Sequence, residues 1–177
     1  MKKLLIAFSF LIVTHSLKGQ TVQYDTCSFL QQYAGEWRYE NGNDTIRIYL
    51  RFHRDYTNDP AIYISDKLWG WLEYKNGSAV IETTYQNRFM SLPYNRDDLT
   101  EGSYSIYLHH PQCGVNANKL TGYVFDISQA REIKNVKAII SLDKNTITWN
   151  QEHKEGYGVF TNAYGMTLPK NFILTRQ

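Results

Sequence analysis

The stretch at residues 35–50, GEWRYENGNDTIRIYL, decides how the rest of the chain is read. From Ile46 the pattern alternates: Ile46, Ile48, Leu50 and Phe52 are apolar, and Arg47, Tyr49, Arg51 and His53 fall between them. Successive side chains of a strand point to opposite sides, so this reads as a half-buried strand with one wet face. Asn41-Gly42 predicts a type I′ hairpin turn, because both central residues of that turn need positive φ. It joins a strand opening at Trp37 to the one that runs to Arg54.

The same grammar continues outward. YKNGSAV supplies a second Asn-Gly turn at Asn76-Gly77, pairing the strand at 68–75 with one at 79–85. Further strands are expected at 61–65, 103–109, 120–127, 136–142 with 146–152, and 171–175. Gly122 weakens the interior of its strand. Residues 57–60, 87–102 and 156–165 read as loops. Helix signals are short: residues 26–33, with Thr26 or Ser28 as N-cap, and residues 128–133. Nine or ten strands with mainly short turns and no helical crossovers disfavour a parallel βαβ sheet. An all-β, antiparallel up-and-down barrel removes every exposed edge; a two-sheet sandwich is the alternative.

The chain begins MKK, followed by an apolar run at 4–13 and then THSLKGQ, the form of a secretory signal peptide with cleavage expected after Gly19. Cleavage after Ser16 is the alternative. The expected layout is a leader at 1–19 and one domain at 20–177, exported to the periplasm, outer surface or medium. The leader holds Lys2, Lys3 and Lys18 and no acid, so its loss turns a formal charge of +2 into −1. Basic residues elsewhere are interleaved with acids and form no stripe for nucleic acid. No segment after the leader has the length and hydropathy of a membrane span. With 14 Tyr, 8 Phe and 4 Trp against 4 Pro, the chain has the makings of a core and none of a linker. Cys27 and Cys113 form an even pair in an exported chain and are expected to bond, with two separate buried thiols as the alternative.

Residues 29–50, FLQQYAGEWRYENGNDTIRIYL, place a short helical turn before Gly35-x-Trp37 at the start of the first strand. That arrangement is similar to lipocalins and the wider calycin group. More narrowly, the leader, AGEWRYENGNDTIRIYL, WGWLEYKNG and the closing LPKNFILTR resemble a secreted bacterial family of unknown function, DUF6705, over most of the mature chain. The lipocalin resemblance implies that Gly35 and Trp37 close one end of the barrel under a basic side chain from the last strand. Arg176 is the matching candidate and Lys170 the second. A guanidinium over indole is worth about 0.5–2 kcal/mol.

Candidate chemistry is sparse. His109, His110 and Cys113 are metal-ligand types, but neighbours in a strand point to opposite faces, so a polar strand end is the preferred reading and no metal site is assigned. Nucleophile elbows, zincin helices and phosphate loops are missing, and His53, Glu152 and His153 read as strand surface or turn, so no catalytic residue and no cofactor is assigned. The ligand clue is LWGWLEY at 68–74: Trp69 and Trp71 share one strand face and Gly70 lies on the other. Facing inward they would line an apolar cavity; facing outward they would offer a platform for a sugar or a protein; as plain core they would do neither. The expected function is an exported barrel binding a small apolar ligand, with Trp69 and Trp71 lining the site. The alternatives are an envelope protein- or glycan-interaction module and, below it, a hydrolase of unfamiliar type.

Overall fold

The structure is a computed structural model, and it describes residues 22–23, 25–56, 64–93, 103–109, 118–126, 131–151 and 167–177. The leader, His110 and Cys113 lie outside these residues, as do the loops expected at 57–60 and 156–165 and most of Asn87's loop beyond residue 93. Ten strands form one sheet: β1 (Val22–Gln23), β2 (Gly35–Asn41), β3 (Asp44–Tyr56), β4 (Ile64–Asn76), β5 (Ala79–Thr83), β6 (Ile106–His109), β7 (Lys119–Asp126), β8 (Arg131–Ile140), β9 (Thr146–Gln151) and β10 (Asn171–Arg176). One short helix, α1 (Phe29–Tyr33), precedes β2. Eight of the strands close a ring in the order β2, β3, β4, β6, β7, β8, β9, β10 and back to β2, every neighbour antiparallel. This is the all-β barrel expected from the alternation.

The remaining two strands share an edge of β4. Along that edge β4 meets β1 in parallel at Ile64–Ser65, then β6 at Leu68, Trp69 and Gly70, then β5 at Glu73 to Asn76. β5 and β6 are two halves of one barrel strand. Thr84 N donates to Leu72 O at 2.8 Å and Ser105 N donates to Gly70 O at 2.9 Å, so the chain leaves the ladder after Thr84 and rejoins it at Ser105. The Thr84 and Ser105 hydroxyls lie 2.6 Å apart across the break, both residues buried.

Both Asn-Gly hairpins differ from the expected turn by one residue. Asn41 pairs with Asp44 and Asn76 with Ala79, so the central residues are Gly42-Asn43 and Gly77-Ser78. Gly42 and Gly77 have φ of 59° and 58°, and neither Asn43 nor Ser78 has positive φ. Glycine first with positive φ is the type II′ pattern, which matches strand twist as well as type I′ does. A second difference lies at 128–133. Arg131, Glu132 and Ile133 open β8 opposite Asp126, Phe125 and Val124, because the ladder outweighs a weak local helix preference. Asn135 is the extra residue of a bulge there, with Val136 opposite Gly122 and Lys134 opposite Tyr123. α1 is capped from outside the expected positions: Ser28 makes no side-chain cap, and Asp25 Oδ2 accepts from Leu30 N at 2.7 Å.

Every strand of the ring sends side chains into one core cluster: Trp37 from β2, Ile48 and Leu50 from β3, Leu68 and Leu72 from β4, Ile106 and Leu108 from β6, and so on through Leu174 of β10. A cluster fed by all eight strands of a closed barrel is the barrel's interior. Gly70 belongs to it, since a Cβ there would lie 2.7 Å from Ile106 Cβ and 2.8 Å from Leu50 Cδ2. Gly122 is required for a different reason. A Cβ at that position would sit 2.0 Å from the Tyr107 carbonyl oxygen, so glycine lets β6 and β7 approach.

Candidate functional site

One end of the barrel is shut by α1 and the C-terminus. Trp37 is fully buried and its Nε1 donates to Tyr33 O at 2.7 Å. The Arg176 guanidinium lies 4.2 Å from the Trp37 ring centroid. It also donates to Lys144 O at 2.9 Å, to Ala34 O at 3.1 Å and to Gln32 O. Gly35 has a φ of 120°, a backbone shape that favours glycine, and it lies against the Arg176 guanidinium. Lys170 is remote from this end; it precedes β10, and its carbonyl accepts from Gln151 N at 3.0 Å. Tyr33 ties the helix across the barrel: its hydroxyl donates to the Asn118 carbonyl and accepts from Ile140 N at 3.1 Å. Burial pushes the Tyr33 phenol up to about 12, with the Ile140 N–H bond opposing.

At the opposite end, that of the Gly42 and Gly77 turns, the buried side chains of Asp126 and Gln151 are held by the chain itself. Asp126 accepts from Thr167 N and Thr167 Oγ1, each at 3.0 Å. Gln151 Oε1 accepts from Trp149 Nε1 at 3.1 Å, and its Nε2 donates to Pro169 O at 3.0 Å. Trp149 stacks on Phe172 with centroids 5.8 Å apart, and Tyr39 meets Phe172 at 5.4 Å. An eight-stranded barrel is just wide enough for side chains to fill, or for one small ligand.

Trp69 and Trp71 are not in this interior. They lie with Tyr107 in a second cluster drawn from β4 and β6 alone, on the outer face, packed against Tyr49, Met90, Leu92, Tyr104 and Tyr123. The cause is the period of the strand: Leu68, Gly70 and Leu72 face in, so the tryptophans between them face out. The rings run in a row across strands, with Trp69 and Tyr107 4.7 Å apart and Tyr107 stacked on Tyr123 at 5.0 Å. Trp69 and Trp71 are nevertheless 0% exposed. What covers them includes a strap, residues 85–93, which begins with the 3₁₀ turn Tyr85–Asn87.

The strap is held by the outer row of β3, whose residues read from sequence as a wet face. Arg47 lies 4.4 Å from the Tyr85 ring centroid. Tyr49 meets the Phe89 ring at 5.6 Å. Arg51 donates to Arg88 O at 3.0 Å and Met90 O at 2.9 Å, and lies 5.3 Å from the Trp71 ring. His53 Nε2 is 3.1 Å from Pro93 O. Arg88 also lies over the Tyr85 ring, 4.3 Å from its centroid. Burial, and then a hydrogen bond to Glu36, push the Tyr85 phenol up to about 12 against the two guanidiniums. The strap anchors were missed because Arg, Tyr and His alternate on β3 as they would on a solvated face. The available signal was the apolar content of Phe89, Met90 and Leu92 inside a loop otherwise polar.

Cys113 lies outside the described residues, so its pairing with Cys27 is an expectation to test. Among the described residues no group of three or more His, Cys, Asp or Glu side chains is placed to hold a metal ion. His109 sits at the end of β6 with Nε2 3.4 Å from Thr121 Oγ1. Among those residues no helix is long and apolar enough to cross a membrane.

No curated protein and no solved structure matches the chain. A family model does, and it spans residues 1–177. A barrel with its outer aromatics under a strap is thus the arrangement of a chain that belongs to the family of unknown function DUF6705.

Proposed function

We propose that the protein is an exported binding module that meets its partner, an envelope protein or glycan, on the outside of the barrel. The observation that supports this reading is the outer row of Trp69, Trp71 and Tyr107, a cluster separate from the core. A closed barrel needs only its inner face to be apolar, and aromatic rings with polar handles are enriched where proteins meet partners. Phe89, on the strap above Tyr49, is 69% exposed and marks the rim of that surface. The leader at 1–19 supports export, and export supports a Cys27–Cys113 bond, which would make the intact chain lighter by the two hydrogens a disulfide removes.

The second reading keeps a small apolar ligand inside the barrel at the hairpin end. It is favoured by Tyr39 and Tyr74, which are only partly buried against the core there. Native mass spectrometry of protein purified from its own envelope separates the two. On the outer-face reading a co-purifying partner is lost with Phe89→Ser and kept with Tyr39→Ala. A retained small molecule that is lost with Tyr39→Ala, with no effect of Phe89→Ser, overturns it in favour of the ligand.

A further inference from the structure

We infer that residues 85–93 open as a unit while the barrel stays closed, and that this opening exposes the floor on which the partner binds. The inference rests on the outer-face reading for the partner, but the opening itself is a property of the chain alone.

Three features of the fold separate the strap from the barrel. The barrel ladder does not pass through it: Thr84 and Ser105 complete the strand across the break, by their main-chain bonds to β4 and their paired hydroxyls. The strap's own main-chain bonds are local, from Asn87 N to Thr84 O, Arg88 N to Tyr85 O and Met90 N to Asn87 O, so losing them together on opening takes no bond from the barrel ladder. Its hold on the barrel is made from outside, by Arg47, Tyr49, Arg51 and His53 on one strand face and by Met90 and Leu92 on the outer cluster. A segment with local bonds and a few partly exposed anchors is drawn from the low-stability end of a structure.

The chemistry beneath it states what can replace it. Arg51 spends its guanidinium on two carbonyl oxygens beside an indole face, and Met90 and Leu92 pack on the Trp69–Trp71–Tyr107 cluster. A partner that takes the floor must bring the same pair of features, acceptor oxygens for Arg51 and an apolar group for the tryptophans. A polypeptide does so with its main-chain carbonyls and one large apolar side chain, as the strap itself does. Because the closed state hides two indoles, opening is the minor state, and a partner shifts it by its differential affinity for the open form.

Amide hydrogen exchange on the intact chain, read with acrylamide quenching of tryptophan fluorescence, tests the opening. The amides of Asn87, Arg88 and Met90 should share one opening free energy, and exchange about 100-fold or more faster than those of Ile48 and Leu50. Arg51→Ala should raise all three strap rates together by about 10-fold, make at most two of the four tryptophans newly quenchable, and leave the Ile48 and Leu50 rates unchanged. His53→Ala, which releases Pro93, should act in the same direction by less. The inference is overturned if strap amides exchange only with the barrel, if the three exchange independently, or if Arg51→Ala speeds barrel exchange equally. A strap that opens in this way while no partner is found would leave the opening standing and remove both the partner's use of the floor and the outer-face function.

Discussion

The two faces of β4 are buried equally completely under different arrangements. Leu68 and Leu72 face a core built by all eight strands, with α1 and Arg176 closing one end. Trp69 and Trp71, their neighbours in sequence, face a cluster roofed in part by residues 85–93. The inner face depends on closure of the ring, whereas the outer face depends on a segment that the ring does not need. Burial alone does not distinguish them, since all four residues are 0% exposed.

The strongest attempt to break this distinction is a pair of truncations. Trp37→Ala, at the closed end, is expected to cost about 3–5 kcal/mol, the transfer term plus a cavity that a closed barrel cannot collapse. Trp71→Ala is expected to cost less, about 1–3 kcal/mol, because the strap can settle or lift where a barrel wall cannot. Urea unfolding of both variants measures the difference. Equal losses would make the outer cluster part of the core in energetic terms.

Next in size is Tyr33→Phe. The hydroxyl serves the Asn118 carbonyl and the Ile140 N–H across the closed end, and its loss leaves buried groups unmatched at about 1–3 kcal/mol. The same residue sets a pH signature. Burial holds its folded pKa at about 12, above the ordinary phenol value of about 10, so the neutral form is favoured by folding. Its contribution is full below pH 10 and is lost as pH rises through 12, by roughly 1.4 kcal/mol per pH unit in that window. Tyr85, raised to about 12 as well, adds a similar but weaker fall because it sits nearer solvent. Alkaline melts of Tyr33→Phe and the parent should therefore converge above pH 10. Parallel curves would show that the phenol is not the group responsible.

Arg176→Ala follows. It removes a guanidinium over Trp37, worth about 0.5–2 kcal/mol, together with three carbonyl contacts. Arg176→Lys keeps the charge and loses the fork, so it should recover less than half of the loss. Melting temperatures of the three proteins decide it: full recovery by lysine would mean that charge alone matters.

Particular residues show what could be read before the fold was seen. Ile46, Ile48 and Leu50 announced a strand and its inner face by period alone, because a half-buried strand must alternate. The same alternation placed Trp69 and Trp71 together on the face opposite Gly70, but with apolar residues on both faces of that strand the period does not say which is inside. That answer depends on Leu50, Ile106 and Gly70 meeting across three strands, a long-range fact. The turn slipped by one residue at both Asn-Gly pairs because glycine satisfies the positive φ of either turn type. The site was the least legible part. Arg47, Arg51 and His53 look solvated in a strand, and only the return of the chain over them makes them anchors.

The smallest expected effect lies where the strap joins the barrel. Arg47 donates to Glu36 at 2.8 Å and to Glu73 at 3.4 Å while its guanidinium lies against the ring of Tyr85. Burial tends to raise the Glu36 pKa. Hydrogen bonds from Tyr85 and Arg47, with the charges of Arg47 and Arg88, together outweigh it and leave the carboxyl below its usual range. A depressed carboxyl contributes stability above its unfolded value, and that contribution is lost as pH falls through the folded one. Because the pair is partly exposed, Glu36→Gln should cost under about 1 kcal/mol at neutral pH. The difference from the parent should vanish in acid. If the network fastens the strap, acid should also raise strap exchange before barrel exchange, and Glu36→Gln should remove that early response. An early response that persists in the variant would assign the acid sensitivity to some other carboxylate.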